Sequence, residues 1–261
     1  MGRAAPGTVS DDLLAVAVVA ARASGVVLLE RFEAAGGPQG VGSKSSPTDL
    51  VSAADVEAER AISAVLDRLR PDDGILGEEG DEVHGTSGLR WVVDPLDGTV
   101  NYLFGLPQWC VSVACEGQVG VILDPLRDDL FEVTAGGLAK RNGEPLRGST
   151  REDLATALVA TGFNYDAGVR ARQAEIVAGL LPRIADIRRM GAAALDLAWT
   201  AAGRFDAFYE RGESAWDITA GAMLCTAAGL EVRTLEARDG LPAGVLAASP
   251  ALAGELFELV R

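Results

Sequence analysis

The chain of 261 residues is short of histidine and cysteine, and both shortages exclude kinds of catalysis. Its one histidine, His84, lies in a polar loop, which argues against a phosphohistidine intermediate and against a Ser-His-Asp triad. The three cysteines show neither CxxC spacing nor the cysteine-to-arginine spacing of a thiol phosphatase loop. They lie in apolar surroundings, which indicates buried thiols in a reducing compartment rather than disulfides or zinc ligands.

Positive charge is also scarce, because 23 Lys and Arg residues face 38 Asp and Glu residues, a formal net charge of −15. A surface this acidic argues against general binding of nucleic acid or of an anionic membrane. We therefore expect no nucleic-acid partner, and an anionic substrate would need a local source of positive charge. The glycine-rich signatures of a P-loop and of a dinucleotide-binding fold are absent as well.

Long hydrophobic runs are missing near the start of the chain. The stretch from Leu13 to Ala21 follows two acidic residues and ends at Arg22. A signal peptide needs a basic start, and a membrane span needs about 20 apolar residues. Since neither pattern is met, we expect a cytoplasmic protein with no membrane attachment. A hydrophobic content of 48% indicates a globular chain with a sizeable core.

Apolar periodicity and turn residues predict an α+β half, residues 1–148, followed by an α/β half, residues 149–261. The first half is expected to pair helices with a largely antiparallel sheet, and the second to alternate strands with helices. The predicted helices cover residues 10–32, 52–70, 168–181, 192–202, 216–229 and 250–260.

The segment from Trp91 to Asn101 is the most informative in the chain. It predicts a buried strand that stops at Asp94-Pro95, because proline cannot continue a strand ladder. Asp97 is then expected to be the N-cap of a short helix. This places two carboxylates at the carboxyl end of one strand, where open α/β sheets usually bind ligands. Asp-Pro and Asp-Gly are also ordinary turn chemistry, so this segment alone leaves a metal site and a simple turn about equally open.

Acidic residues recur in two other places. Glu78 and Glu79 follow a short predicted strand, which is also the pattern of a solvated loop. Asp217 opens a predicted helix, where the helix dipole alone favours an acid. If Glu78, Asp94, Asp97 and Asp217 gather, they cannot all ionise without cations. About two to three Mg²⁺ ions would satisfy them, attract a phosphate and activate a water for in-line attack.

Four segments together resemble the signatures of the inositol monophosphatase family, within the wider lithium-sensitive, Mg²⁺-dependent phosphatase superfamily. They are Gly77 to Glu79, Trp91 to Asn101, Ala215 to Gly221 and, as the fourth, Lys44 to Val51. The resemblance implies a layered αβαβα fold and a homodimer. It also implies Mg²⁺-dependent hydrolysis of inositol 1-phosphate or a similar polyol monophosphate by metal-activated water.

The resemblance implies a role for each matching residue. The implied metal ligands are Glu78, Asp94, Asp97, Asp217 and the carbonyl of Leu96. Thr99 would orient the attacking water with Asp55 as its partner, and Glu78 would also take part in catalysis. The implied substrate contacts are Gly98, Thr99, Gly191, Ala192, Ala193, Glu210 and Asp217. Lys44 would lie near the mouth of the site, and Asp49 behind Glu78.

One departure from the family pattern leaves the substrate open, because family members often have Ser or Thr at the position of Ala192. Histidinol phosphate is an alternative, and Glu210 or Glu213 would then meet its amine. Fructose 1,6-bisphosphate is another, and a 3′-phosphoadenosine nucleotide is the least compatible with so acidic a chain. A different class of function is a partner of the transcription machinery with secondary phosphatase activity, although the intact acidic set argues against a vestigial site.

Two further segments have competing interpretations. Phe163 to Asp166 follows a predicted strand and either borders the substrate pocket or forms an ordinary loop. Arg188 and Arg189 are predicted to be a solvated turn, and the alternative is an interface contact near the active site.

Overall fold

The computed structural model describes residues 9–34, 42–43, 50–51, 53–80 and 82–261. Lys44 and Asp49 lie outside the described residues, so their places beside the site remain predictions.

The predicted helices are confirmed to within two residues at each end. Within the described ranges the helices are α1 (Val9–Ala34), α2 (Ala53–Leu69), α3 (Thr99–Leu103), α4 (Ala167–Leu180), α5 (Ala193–Ala201), α6 (Ala215–Ala227) and α7 (Pro250–Val260). The strands are β1 (Gly42–Ser43), β2 (Leu50–Val51), β3 (Gly74–Gly77), β4 (Arg90–Asp97), β5 (Cys110–Cys115), β6 (Val119–Asp124), β7 (Asp129–Thr134), β8 (Lys140–Arg141), β9 (Glu144–Pro145), β10 (Leu158–Thr161), β11 (Asp186–Arg188), β12 (Ala207–Arg211), β13 (Glu231–Leu235) and β14 (Gly244–Ala248).

Two sheets alternate with helices in five layers, which confirms the αβαβα architecture. The first sheet has the order β3-β4-β5-β6-β7-β8-β9, antiparallel except for the parallel pair β3 and β4. The second has the order β11-β10-β12-β14-β13 and is mixed. Helices α1 and α2 cover the outer face of the first sheet, α5 and α6 lie between the sheets, and α4 and α7 cover the second.

The buried side chains show why the layers stay together. Leu13 of α1 and Ile62 of α2 pack in one apolar cluster with Trp91 of β4. A second cluster joins the two halves of the chain, because Phe131 of β7 packs with Leu197 of α5 and other residues. The middle helices and this shared core pack against both sheets. The boundary between residues 148 and 149 therefore remains a prediction.

Strand β4 differs from its prediction, because it does not stop at Asp94-Pro95. It continues to Asp97 through an irregularity in its pairing with β5 between Asp94 and Asp97. Proline is tolerated at such bulges, where the ladder already lacks a hydrogen bond. The Ser24 hydroxyl donates to the carbonyl of Pro95 and so satisfies a buried acceptor there. The bulge turns the end of β4 and presents its two aspartates at the sheet edge.

Helix α1 also corrects the sequence analysis. Its segment Ser10–Phe32 is long and apolar enough to cross a membrane, with a mean hydropathy of 2.0 in its most apolar window. One such helix is weak evidence, because the core helix of a globular protein passes the same test. Here Leu13, Ala17 and Leu28 are fully buried against the rest of the fold. The packing therefore indicates a core helix.

Candidate active site

The end of β4 opens into a cavity of about 750 Å³ formed by both halves of the chain. From the first half come acidic residues and the turn into α3, namely Glu78, Asp94, Leu96, Asp97, Gly98 and Thr99. From the second half come residues after β10, around α5 and β12, and at the start of α6, including Phe163 to Ala167, Arg170, Arg189, Gly191, Ala193, Glu210, Glu213 and Asp217. The structure thus brings most of the predicted site residues to one cavity.

Four carboxyl groups form the centre of the site. Carboxylate oxygens of Asp94, Asp97 and Asp217 all lie within 4.8 Å of one another, and Glu78 hydrogen-bonds to Asp94. Burial, followed by the charges of Glu78, Asp97 and Asp217, raises the pKa of Asp94 well above its usual range. Burial raises the pKa of Asp97 to about 6, and burial with the neighbouring acids raises that of Asp217. These groups resist ionising together, as their convergence predicts.

Asp97 is held by the start of another helix. Its carboxylate accepts hydrogen bonds from the backbone N–H groups of Ala193 at 3.1 Å, Ala194 at 2.8 Å and Leu195 at 3.3 Å. The predicted role of Asp97 as N-cap of α3 is therefore wrong. That position belongs to Gly98, at φ 93°, where a Cβ would lie only 2.9 Å from the carbonyl oxygen of Gln108. Sequence proximity suggested a local cap, whereas the tertiary fold gives Asp97 the free N–H groups of α5.

Asp94 and Asp217 are fixed by local backbone bonds. Asp94 Oδ1 accepts from the N–H of Leu96 at 2.8 Å across the bulge. Asp217 Oδ2 accepts from the N–H of Ser214 at 2.6 Å in a capping box that begins α6. Asp217 thus stabilises a helix start and also belongs to the acidic cluster. Each carboxyl group keeps one oxygen outside these bonds.

Thr99 links the cavity to a buried acid. Its hydroxyl oxygen lies 2.9 Å from Asp55 Oδ1 and 3.1 Å from the carbonyl oxygen of Leu96, so its single proton is directed to one of these acceptors. Asp55 is fully buried on α2 and reaches the cavity through Thr99, because it does not line the cavity itself. This places the predicted pair Thr99 and Asp55 in direct contact.

Glu59 supports the loop that carries Glu78, and the sequence analysis missed it. Glu59 Oε2 accepts from the N–H of Glu79 at 2.8 Å. A Cβ on Gly77 would lie 2.5 Å from the same oxygen, so glycine is needed for this close approach. The sequence contained a pattern that could have indicated Glu59. Asp55 and Glu59 are four residues apart and therefore share one face of α2. Two acids on the buried face of a helix need hydrogen-bond donors, and the Gly77–Gly80 turn supplies one.

The predicted substrate contacts divide into two groups. Gly191, Ala193 and Glu210 line the cavity. Ala192 does not, because it is buried at the start of α5 with its Cβ packed against Gly98. The missing hydroxyl of Ala192 therefore affects the packing against the turn at Gly98. The carboxyl group of Glu210 lies over Gly162, where a Cβ would be 1.7 Å from Oε1.

Arg189 and Arg170 were not assigned to the site from sequence, yet both line the cavity. Arg189 is exposed just after β11 ends at Arg188, as the prediction of a solvated turn expects, and it also lines the cavity. The sequence offered little indication of this strand, because β11 is only three residues long and lacks an apolar run. The loop from Phe163 to Asp166 borders the cavity, in agreement with the less favoured of its two interpretations.

Comparison with known proteins identifies the family and supports the fold. The model of the inositol monophosphatase family matches residues 10–261. The chain belongs to the inositol monophosphatase family. An inositol-1-monophosphatase of Mycobacterium bovis is 39% identical over 269 residues, 97% of this chain and 92% of the relative. Nus factor SuhB of Escherichia coli is 41% identical over 83% of each chain.

A solved structure of the inositol monophosphatase fold supports the architecture. The extragenic suppressor protein SuhB of Bartonella henselae superimposes with a TM-score of 0.87 at 34% identity, covering 95% of this chain and 98% of that one. The family is one of metal-dependent phosphatases, and the acidic cluster fits a metal. Its donors are carboxylate oxygens, which hard cations prefer. Cys110 lies 3.5 Å from Asp97 Oδ2, but burial raises the pKa of this thiol, so it donates a hydrogen bond rather than offering a thiolate.

The acidic cluster and Glu210 should make this metal-free inositol monophosphatase family member less stable as the pH rises. A carboxyl group whose pKa is raised by folding contributes stability below its ordinary value near 4 and loses that stability as the pH passes its folded pKa. Those folded values are about 6 for Asp97 and about 7 for Glu210. In chelator, we expect the Tm to fall by several degrees between about pH 5 and pH 7.5, as calorimetry would show. Adding Mg²⁺ should remove most of the fall, whereas a Tm that rises over this interval in chelator would contradict the account.

Proposed function

We propose that this chain is a Mg²⁺-dependent phosphatase that hydrolyses inositol 1-phosphate or a similar polyol monophosphate. The observation that carries the proposal is the convergence of Glu78, Asp94, Asp97 and Asp217 on one wall of the cavity. Acids this close together can all ionise only if cations bind among them. In an otherwise acidic protein, those cations would attract a phosphate.

The residues around the cluster support phosphate chemistry. Mg²⁺ at these acids would neutralise phosphate charge and make a water more acidic. Thr99 would position the attacking water, and Asp55, which accepts a hydrogen bond from the Thr99 hydroxyl, would accept the proton. Gly98 has no side chain and leaves the backbone at the start of α3 open for the phosphate. Glu210 also lines the cavity and would accept a hydrogen bond from a substrate hydroxyl.

Two further properties belong to the proposal. We propose a cytoplasmic homodimer, which the family relationship and the reduced, buried cysteines support. Light scattering coupled to size-exclusion chromatography tests the dimer directly, and a mass near 27.1 kDa at micromolar concentration would contradict it.

A substrate panel tests the proposed activity. Purified protein is assayed for phosphate release at fixed Mg²⁺, with and without Li⁺, from inositol 1-phosphate, histidinol phosphate, fructose 1,6-bisphosphate and a 3′-phosphoadenosine nucleotide. We expect release that needs Mg²⁺ and favours the monophosphates of small polyols. Release that persists in chelator, or no release from any of them, would count against the proposal.

A second candidate function comes from the relatives named Nus factor SuhB, such as the 41% identical protein of Escherichia coli. The chain would then act as a partner of the transcription machinery, with phosphatase activity as a secondary property. Copurification with RNA polymerase from the source cells tests this role. Copurification that survives loss of the acidic cluster, together with no phosphate release on any substrate, would favour the partner role over the enzyme.

A further inference from the structure

Asn101 ends the segment Trp91–Asn101, and its buried side chain binds the backbone rather than lining the cavity. Its Nδ2 atom donates to the carbonyl oxygens of Gln108 at 2.7 Å, Met190 at 2.8 Å and Gly191 at 3.2 Å. An amide nitrogen carries two protons, so the two shorter contacts each take one and the third contact shares one of them. Because three carbonyl oxygens converge on this atom, only a hydrogen-bond donor fits the position.

These hydrogen bonds connect segments from the two halves of the chain. Met190 and Gly191 stand just before α5, whereas Asn101 lies on α3. Asp97, at the other end of the same turn, accepts hydrogen bonds from the first N–H groups of α5. Segment 97–101 is therefore attached at both of its ends to segment 190–195.

The two attached segments form different parts of the proposed reaction site. Segment 97–101 carries Gly98 and Thr99, the residues proposed to meet the phosphate and the attacking water. Segment 190–195 contributes Gly191 to the wall of the cavity. Because an error of about 1 Å in the placement of reacting groups can cost about 10²-fold in rate, the spacing of these segments matters for catalysis.

Asn101 and Gly191 approach each other closely. Gly191 has a φ of 86°, and a Cβ at this position would lie 3.1 Å from Nδ2 of Asn101. Any other residue would be strained here, and its side chain would crowd the amide group. An amide on one segment and a glycine on the other therefore fix the spacing between the two segments.

We propose that Asn101 is a positioning residue that holds the cavity wall at Gly191 in register with the phosphate site at Gly98 and Thr99. The inference rests on the phosphatase function proposed above and deepens it, because it identifies a residue that determines which polyol is preferred. A rigid ring such as inositol needs the phosphate site and the wall in one register, whereas a short, flexible polyol such as glycerol adapts to a shift. Mg²⁺ binding depends on the acidic cluster, so it should not depend on Asn101.

Asn101→Asp tests the proposal with a side chain of the same size that lacks the amide protons. Its carboxylate would face three carbonyl oxygens, which would move away from it. We expect kcat/KM to fall by about 10²-fold for inositol 1-phosphate and by less than about tenfold for glycerol 1-phosphate. The Mg²⁺ affinity measured by calorimetry should stay within about twofold of the wild type, because no ligand charge has been removed from the cluster.

Asn101→Ser is a milder second variant, because it keeps a hydroxyl donor on a shorter side chain. The ratio of kcat/KM for inositol 1-phosphate to that for glycerol 1-phosphate should fall by about threefold or more. Thermal unfolding shows which variants are folded, and Asn101→Ser decides if Asn101→Asp does not fold.

Asn142 provides the matched control. Its side chain accepts from the N–H of Leu130 at 2.8 Å and donates to Asp129 at 3.4 Å, and it does not line the cavity. Asn142→Asp and Asn142→Ser should lower the Tm and leave the ratio of the two kcat/KM values unchanged. Folded Asn101 variants that lose both activities equally, or lose neither, would overturn the proposal, since Asn101 would then only support the fold.

Binding separates this inference from the phosphatase proposal. If neither ester is hydrolysed, the phosphatase proposal fails, but inorganic phosphate and inositol 1-phosphate can still be titrated into the wild type and into Asn101→Ser with Mg²⁺ present. Weaker binding of the ester alone in the variant would support the positioning role. Equal changes for both ligands, or no change for either, would overturn it, and a wild type that binds neither would overturn both proposals.

Discussion

Replacing Asp94 with Asn should abolish most phosphatase activity and leave the fold intact. The change removes a carboxylate from the centre of the acidic cluster, where Asp97 and Asp217 lie within 4.8 Å. We expect kcat to fall by about 10³-fold, which is as large as or larger than the fall in kcat when a preorganised hydrogen-bond donor to a transition state is removed. The fold should survive because an amide oxygen can still accept the hydrogen bond from the N–H of Leu96. Steady-state phosphate release and thermal unfolding measure the two effects.

The Asp94→Asn variant also has a distinctive stability prediction. Because burial and three neighbouring acids disfavour its ionised form, losing the charge should leave the metal-free protein at least as stable as the wild type. Asp128→Asn is the matched control, since that side chain is 78% exposed and only pairs with Arg22 at the surface. It should keep full activity. Near-wild-type kcat in Asp94→Asn would remove this residue from the catalytic machinery.

The second large effect concerns Thr99→Val, which removes the hydroxyl and keeps a branched side chain of similar size. We expect kcat to fall by about 10²-fold or more, the usual contribution of a group that assists proton transfer. KM should change little, because the substrate would keep its metal and backbone contacts. Stability should drop by about 1–3 kcal/mol, since the buried Asp55 loses the hydrogen bond from Thr99.

Thr99→Ser provides the rescue experiment. Serine restores the hydroxyl 2.9 Å from Asp55, so activity should return to within about tenfold of the wild type while the lost methyl group costs some stability. A purely structural role for Thr99 would give the opposite pattern, with Val tolerated and Ser impaired. Pre-steady-state phosphate release distinguishes a slower chemical step from slower product release.

The sequence was sufficient to predict the features that depend on local pattern. Helices were located by apolar periodicity, and the acids at the ends of β3 and β4 were recognised because strand endings meet at a sheet edge. From the residues alone, a shared site for Glu78, Asp94, Asp97 and Asp217 was a hypothesis, since each acid had an ordinary explanation, and the family resemblance implied that they belong together. Asp217 illustrates this, because it both caps α6 and joins the cluster.

What the sequence could not supply was contact between distant segments. Asp97 caps α5, which lies almost a hundred residues later, so no local rule indicates it. Glu59 supports the Gly77–Gly80 turn through a contact that a helix pattern does not reveal. Arg189 lines the cavity just after β11 ends, and a three-residue strand leaves no periodic signal. Tertiary packing decides these positions, and with them the shape of the substrate pocket.

The central claim is that the acidic cluster binds Mg²⁺, and calorimetric titration of Mg²⁺ into metal-free protein tests it most directly. The account predicts saturable binding at millimolar or lower Mg²⁺ to the wild type and to Asp128→Asn. It predicts binding to Asp94→Asn that is weaker by at least about tenfold, because one charged ligand is gone. Wild-type protein that binds no Mg²⁺ in this range, or an Asp94→Asn variant that binds it equally well, would contradict the account.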